Sequence, residues 1–405
     1  MLLGWPRARV LVACVLAAVA VGCARIDREP VPEPLVARAT VLGRDYARFW
    51  GDEAPKDVVA FVQTHMPNVK RVAANATLEK GRPVVEYLAL SGGADDGAFG
   101  AGLLVGWSKR GDRPKFEVVT GVSAGALIAP YAFLGPGYDA MLSELWTNFD
   151  ASSVATPQLL AGLLGAEAIA DSAPLRDLIA KHVDRKMLAQ IAHEYRNGRL
   201  LMIGTTNLDA QRPVIWNMGA IAEAAARDPQ AAQLFRDVLL ASASLPGIFP
   251  PVHIKVRVGD QMFEEMHVDG GPTRQVFLAP AQFSLRTFDN IYPQPPIRRV
   301  YVVRNGKLAP VYEAVQPNTL AISARALFTV TKNQSMGDIN LIYALTERDD
   351  AEFRLASIPA SFSMQSSKPF DPNYMRALFQ VGFKLGYQGR SWARTPPEAV
   401  LMAQR

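Results

Sequence analysis

Cysteine is nearly absent: the 405 residues hold two, Cys14 and Cys23, both close to the N-terminus. Two thiols so placed cannot staple a fold, which excludes a disulfide-rich scaffold. Histidine is scarce too. His65, His182, His193, His253 and His267 form no H-x-x-x-H or H-E-x-x-H spacing, so no helical metal motif is present and no metal is expected. No Gly-Lys-Ser/Thr follows a glycine-rich stretch, which excludes a P-loop. Charged residues make up 20% and the formal net charge is +5. The Lys and Arg residues are scattered among acids rather than clustered, so no nucleic-acid partner is expected. There is no internal repeat, and no low-complexity stretch beyond a short proline-rich one. With 49% hydrophobic residues over this length, the chain can bury a substantial core.

The N-terminus carries an apolar run, Val10 to Val21, too short to span a bilayer comfortably. Arg7 and Arg9 precede it and Gly22-Cys23 closes it, the layout of a secretory signal. Ala20-Val21-Gly22-Cys23 resembles a bacterial lipobox, with Ala20 where Leu is usual. That resemblance implies removal of residues 1–22 and lipidation of Cys23. An uncleaved anchor and an ordinary signal peptide cut nearby are the alternatives. Ala24 after the cysteine favours an outer-membrane or periplasm-facing lipoprotein over an inner-membrane one. Glu29 to Pro34 then reads as a stiff tether.

Residues 23–80 are expected to form this tether and a helical appendage. From Pro83 the texture changes. Val84–Leu90, Phe116–Thr120, Leu200–Thr206 and Arg299–Val303 are strand runs. Between them lie helical patterns over Phe99–Trp107 and Ala124–Phe133, a pattern starting near Ser172, and one through Leu234, Phe235, Val238 and Leu239. Asp371-Pro372 reads as an N-cap and first turn. Strands alternating with helices predict an α/β fold with a mainly parallel sheet.

Gly121-Val122-Ser123-Ala124-Gly125 is a G-x-S-x-G sequence set directly between a strand and a helix. A nucleophile elbow needs that context, because its serine takes a strained backbone and the flanking glycines remove clashing side chains. A bare match is as easily a serine in a turn. Upstream, Ser91-Gly92-Gly93-Ala94-Asp95-Asp96-Gly97 is a glycine-rich strand exit whose N–H groups suit an oxyanion, or else a structural turn. Val268-Asp269-Gly270-Gly271 is, taken alone, a common turn.

These segments in this order resemble the patatin-like phospholipase family. Ala241-Ser242-Ala243-Ser244-Leu245-Pro246-Gly247-Ile248-Phe249-Pro250-Pro251 and Asp171-Ser172-Ala173-Pro174-Leu175 match it as well. The resemblance covers about residues 83 to 275. It implies a three-layer α/β/α fold with a mainly parallel central sheet, and a lipid acyl hydrolase that needs no metal or organic cofactor. Ser123 would be the nucleophile and Asp269 its base. Backbone N–H groups of Gly92, Gly93 and Ala94 would form the oxyanion hole, with Gly121 and Gly125 as elbow glycines and membrane lipid as substrate. On this reading residues 81–280 are the catalytic domain, and 281–405 complete or cover it.

The sequence departs from the family pattern at two positions. Ala94 stands for a third glycine, and an alanine serves there only if its φ is not positive. Asp96 stands for an arginine, which removes a positive charge near the oxyanion site. A non-catalytic binding protein on this scaffold, and an esterase for small soluble esters, therefore remain as alternatives. His267 lies two residues before Asp269, on the same face of an extended strand. It is expected to be a pocket-wall residue, not a catalytic base. The run Leu159-Leu160-Ala161-Gly162-Leu163-Leu164 is read as an acyl channel or lid, or equally as core.

Overall fold

A computed structural model describes residues 28–44, 46–54, 69–148, 150–154, 156–157, 168 and 170–397. The expected signal segment, Cys14, Cys23, His65 and the run from Leu159 to Leu164 lie outside them.

The strands in chain order are β1 (Arg48–Trp50), β2 (Thr77–Glu79), β3 (Arg82–Leu90), β4 (Val118–Gly121), β5 (Thr156–Pro157), β6 (Ala170–Asp171), β7 (Leu200–Asn207), β8 (Arg212–Asn217), β9 (Val252–Val258), β10 (Gln261–Asp269), β11 (Ile297–Lys307) and β12 (Glu352–Ile358). The short β5 and β6 pair with each other; the remaining strands form one sheet. Its centre is parallel, in the order β7-β4-β3-β11-β12. Leu88 and Leu90 of β3 join Tyr301 and Val303 of β11 in one apolar cluster, while Ala89 joins Val300 and Val302 in another. Alternate side chains thus fill opposite faces, and burial on both faces explains why these strands read as continuous apolar runs.

The first face is covered by α1 (Gly97–Arg110), α2 (Ala124–Leu134), α3 (Asp139–Thr147), α4 (Ala173–His182), α5 (Arg185–Arg196), α6 (Met218–Ala225) and α7 (Pro229–Ser242). The later α9 (Pro372–Gln388) packs along α1. On the second face, Ile339 and Ile342 of α8 (Thr319–Arg348) pack with Val276, Leu278 and Leu285. This is the three-layer α/β/α arrangement. Asp371 caps α9 as its sequence suggests, its carboxylate accepting from the Asn373 N–H at 2.9 Å. The α4 cap is one residue off: Asp171, not Ser172, accepts from the Ala173 N–H at 2.9 Å.

Antiparallel strands extend the sheet. β8 forms a hairpin with β7, and β1 pairs with β8, so part of the N-terminal segment is an edge strand. Arg48 of β1 forms a buried ion pair with Glu265 of β10. β4 leaves β7 after the pair Gly121–Ile203, and β10 takes its place along the same edge, pairing Asp269 with Thr205. The exchange of one strand for the other is what carries Asp269 to the turn that follows β4.

Candidate active site

Ser123 links β4 to α2 with φ 55° and ψ −126°. A β-carbon on Gly121 would lie 2.5 Å from the Gly125 carbonyl oxygen, and one on Gly125 would lie 2.3 Å from that of Leu90. Only glycine fits either place. Strained backbone of this kind costs roughly 1–3 kcal/mol and persists where the surroundings enforce it. Here they do. The Ser123 N–H donates to Ser242 Oγ at 3.0 Å, and that hydroxyl donates to the Gly204 carbonyl at 2.7 Å.

The same end of α7 also holds Asp269, whose N–H donates to the Ser244 carbonyl at 2.9 Å. The Asp269 side chain is almost fully buried, with Oδ1 accepting from the Gly271 N–H at 2.7 Å. The Ser123 side chain lies close enough to this carboxylate to favour its charged form. Burial pushes its pKa up to about 6, since the nearby Ser123 hydroxyl and the Gly271 N–H offset only part of the cost of desolvating a carboxylate.

The glycine-rich turn after β3 closes the site. A β-carbon on Gly92 would lie 3.1 Å from Ser123 Cβ, so the turn runs directly beside the serine. Its three expected donors are not equivalent. The Gly92 N–H donates to the Gln275 carbonyl at 3.0 Å, which removes it as an oxyanion donor. The N–H groups of Gly93 and Ala94 have no protein acceptor among the described residues. The Gly92 carbonyl accepts from Ser91 Oγ at 2.7 Å and from Arg304 Nη1 at 3.0 Å. In a planar trans peptide the N–H points opposite to the C=O, so these two donors aim the Gly93 N–H away from Arg304.

Ala94 has φ +48°, the left-handed conformation that the sequence reading required it to avoid. The loop therefore keeps its glycine-type shape at a cost of about 1 kcal/mol for an alanine. Ala94→Gly should raise the free energy of unfolding by about that amount in denaturant titration, whereas equal or lower stability would show that the loop is unstrained.

Asp96 is half-buried, and its carboxylate accepts from the Tyr374 hydroxyl. Burial pushes its pKa up to about 6. The loop is not without a cation, however. β11 changes register between Arg304 and Lys307, and the irregularity turns Arg304 and Asn305 onto the loop. Arg304 bonds Ser91 Oγ and the carbonyls of Gly92 and Asn305, while Asn305 Nδ2 donates to the Ser91 carbonyl at 2.8 Å. No carboxylate pairs with Arg304 within salt-bridge distance among the described residues.

His267 is fully buried, and both ring nitrogens are engaged, Nε2 with Glu265 at 3.0 Å and Nδ1 with Thr205 Oγ1 at 3.0 Å. Burial lowers its pKa. It braces β10 and β7 and makes no bond to Ser123. Among the described residues no cluster of His, Cys, Asp or Glu could hold a metal ion.

Sequence reasoning missed Ser242 as the brace of the elbow, although it lay inside a segment already singled out. It missed Gln275, Arg304 and Asn305 entirely, because only the fold brings them to the turn.

The fold and the glycine-flanked serine define an α/β protein of the strand, elbow and helix type found in hydrolases. The family model described as patatin-like phospholipase matches residues 88–281, a span holding the turn, the elbow and Asp269. Over that span the chain carries a patatin-like phospholipase domain, which supports a lipid-hydrolysing activity. Among solved structures it is similar to VipD from Legionella pneumophila, at 12% identity over 78% of this chain and 69% of that one, with TM-score 0.31. It is also similar to human GIVD cytosolic phospholipase A2, at 13% identity over 70% and 52%, TM-score 0.32. A third likeness is to the complex of full-length SpcU with full-length ExoU from Pseudomonas aeruginosa, at 14% identity over 76% and 52%, TM-score 0.30. The chain thus spans about half the length of the last two. No curated protein matches it.

Proposed function

We propose that the chain is a lipid acyl hydrolase that cleaves carboxylic esters of lipids through a Ser123–Asp269 dyad and an acyl-enzyme. The observation that carries this reading is the placement of Ser123, in its strained backbone, beside the buried Asp269 carboxylate, whose raised pKa it influences directly. Ser123 Oγ attacks the ester carbonyl as Asp269 takes its proton. The N–H groups of Gly93 and Ala94 receive the oxyanion, at the N-terminus of a short helical turn. Asp269 returns the proton to the leaving alcohol. It then accepts one from the water that attacks the acyl group, which frees the fatty acid and restores Ser123. With a pKa of about 6, Asp269 is ionised at neutral pH and still basic enough to work. The direct test is release of fatty acid from phospholipid and from short-chain esters by the purified protein; turnover of neither rejects the reading.

Arg304 is a positioning residue on this account, since it fixes the Gly92 carbonyl and so the direction of the Gly93 N–H. Arg304→Met should lower kcat by roughly 10- to 100-fold with little change in KM. Unchanged kcat, or a loss confined to KM, would contradict that role.

Attachment to the membrane is part of the proposal and rests on the lipobox-like sequence before Cys23. Two or three acyl chains on one cysteine anchor a protein stably, where a single chain does so only marginally. The enzyme should therefore be released by detergent and not by salt. Cys23→Ser should abolish incorporation of labelled palmitate. A wild type that is unlabelled, soluble and cut elsewhere would leave a plain secreted hydrolase.

A further inference from the structure

We infer that the N-terminal half of α8, with the segment leading into it, is a projecting arm that inserts into the surface of a phospholipid bilayer. The inference rests on the reading of the site as a lipid hydrolase. α8 has 30 residues, which at 1.5 Å per residue is about 45 Å. Its buried residues all lie in the second half, at Ser335, Asp338, Ile339, Ile342, Leu345 and Thr346. None of the described side chains from Thr319 to Gln334 is fully buried, and Arg325 and Lys332 hold the segment around Ala309 and Val311 alongside, so about 24 Å of helix with that segment lies outside the core.

The arm projects at the catalytic end of the sheet. Asp338, near the start of the packed half, accepts from the N–H groups of Gln275 at 2.7 Å and Val276 at 3.3 Å. The Gln275 carbonyl in turn holds Gly92 of the turn beside Ser123. Residues nearer the helix N-terminus therefore continue outward from the level of the site.

The arm's surface is unusual for a protein facing water. Val311, Tyr312, Val315, Ile322, Phe328 and Val330 are six of the twelve large hydrophobic side chains that are exposed among the described residues. Ile322, Phe328 and Val330 are 54%, 54% and 65% exposed. At about 100° per residue they spread around the helix instead of forming one stripe. A stripe suits a groove in a partner; apolar residues on all sides suit immersion in an apolar medium. The charged residues from Lys307 to Gln334 are Lys307, Glu313, Arg325 and Lys332, three cations and one anion. That balance complements anionic headgroups. Insertion would bring the site to the membrane surface, where its substrate lies.

The test places a reporter in the arm of the full chain. With Phe328→Trp, added fluorescence relative to wild type should shift to the blue on phosphatidylcholine vesicles, more so when phosphatidylglycerol is included. Acyl-brominated lipid should quench it, which a tether at Cys23 alone would not cause. Phe328→Glu combined with Val330→Glu should lower hydrolysis of vesicle phospholipid by about 10-fold or more, and leave turnover of a monomeric short-chain ester unchanged. An unquenched Trp at position 328, or equal vesicle turnover in the double variant, overturns the inference. So does a blue shift that needs no lipid and follows self-association in sedimentation. Quenching by lipid in a protein that hydrolyses neither substrate supports insertion and sinks the catalytic reading alone.

Discussion

Ser123→Ala should lower ester turnover on the order of 10³-fold or more and leave the fold intact. The size follows from the chemistry, because no acyl-enzyme forms without the hydroxyl. The fold survives because the elbow is held by backbone. The Ser123 N–H bonds Ser242, and Gly121 and Gly125 make the room, none of which involves the Ser123 hydroxyl. Alanine at φ 55° is about as strained as serine, so the unfolding midpoint should hardly move. Steady-state kinetics beside thermal unfolding checks both halves. A variant that keeps most of its turnover rules out Ser123 as nucleophile.

Asp269→Asn should be almost as damaging to activity and should make the protein more stable. The amide cannot accept the serine proton, so general-base catalysis is lost. The stability gain follows from linkage. The folded pKa, about 6, lies above the ordinary 3.8, so the native state holds a proton that the unfolded chain has released. Stability from this group is therefore full below about pH 4 and lost as pH rises through about 6. At neutral pH the ionised, buried carboxylate costs at most about 3 kcal/mol. The asparagine variant should unfold at higher temperature than wild type at pH 7, with the difference shrinking toward pH 4. Wild-type kcat/KM should rise with pH through about 6, as the base ionises. A less stable variant at pH 7, or one with near-normal turnover, would contradict the assignment of Asp269.

The parts of this design that are local in sequence were legible there. β3, β4, β7 and the helices after the turn and the elbow announce themselves as apolar runs bounded by glycines. The five residues around Ser123 carry their own geometry. What joins distant segments was not legible. Nothing near Asp269 says that β10 takes over the edge that β4 vacates, and that exchange is what brings base and nucleophile together. The loss of Gly92 as a donor depends on Gln275, more than 180 residues away in the chain. The positive φ of Ala94 could be posed as a question from the missing third glycine, but only the fold answers it. Arg304 gives no sign in the sequence, since it reaches the turn through a register irregularity in β11. One signal was present and unused: Val252-His253-Ile254-Lys255-Val256-Arg257-Val258 alternates strictly, and it forms β9 with every second side chain buried. The long α8 was missed because its first half has no core-facing stripe to betray its period.

The most direct test of the central claim is reaction of the purified protein with a fluorophosphonate, followed by peptide mass mapping. Wild type should gain a single adduct on the peptide containing Ser123, and more slowly as pH falls below about 6, where Asp269 takes up its proton. Ser123→Ala should gain none. An adduct on another serine, or ester turnover by a wild type that the reagent never modifies, would contradict the account.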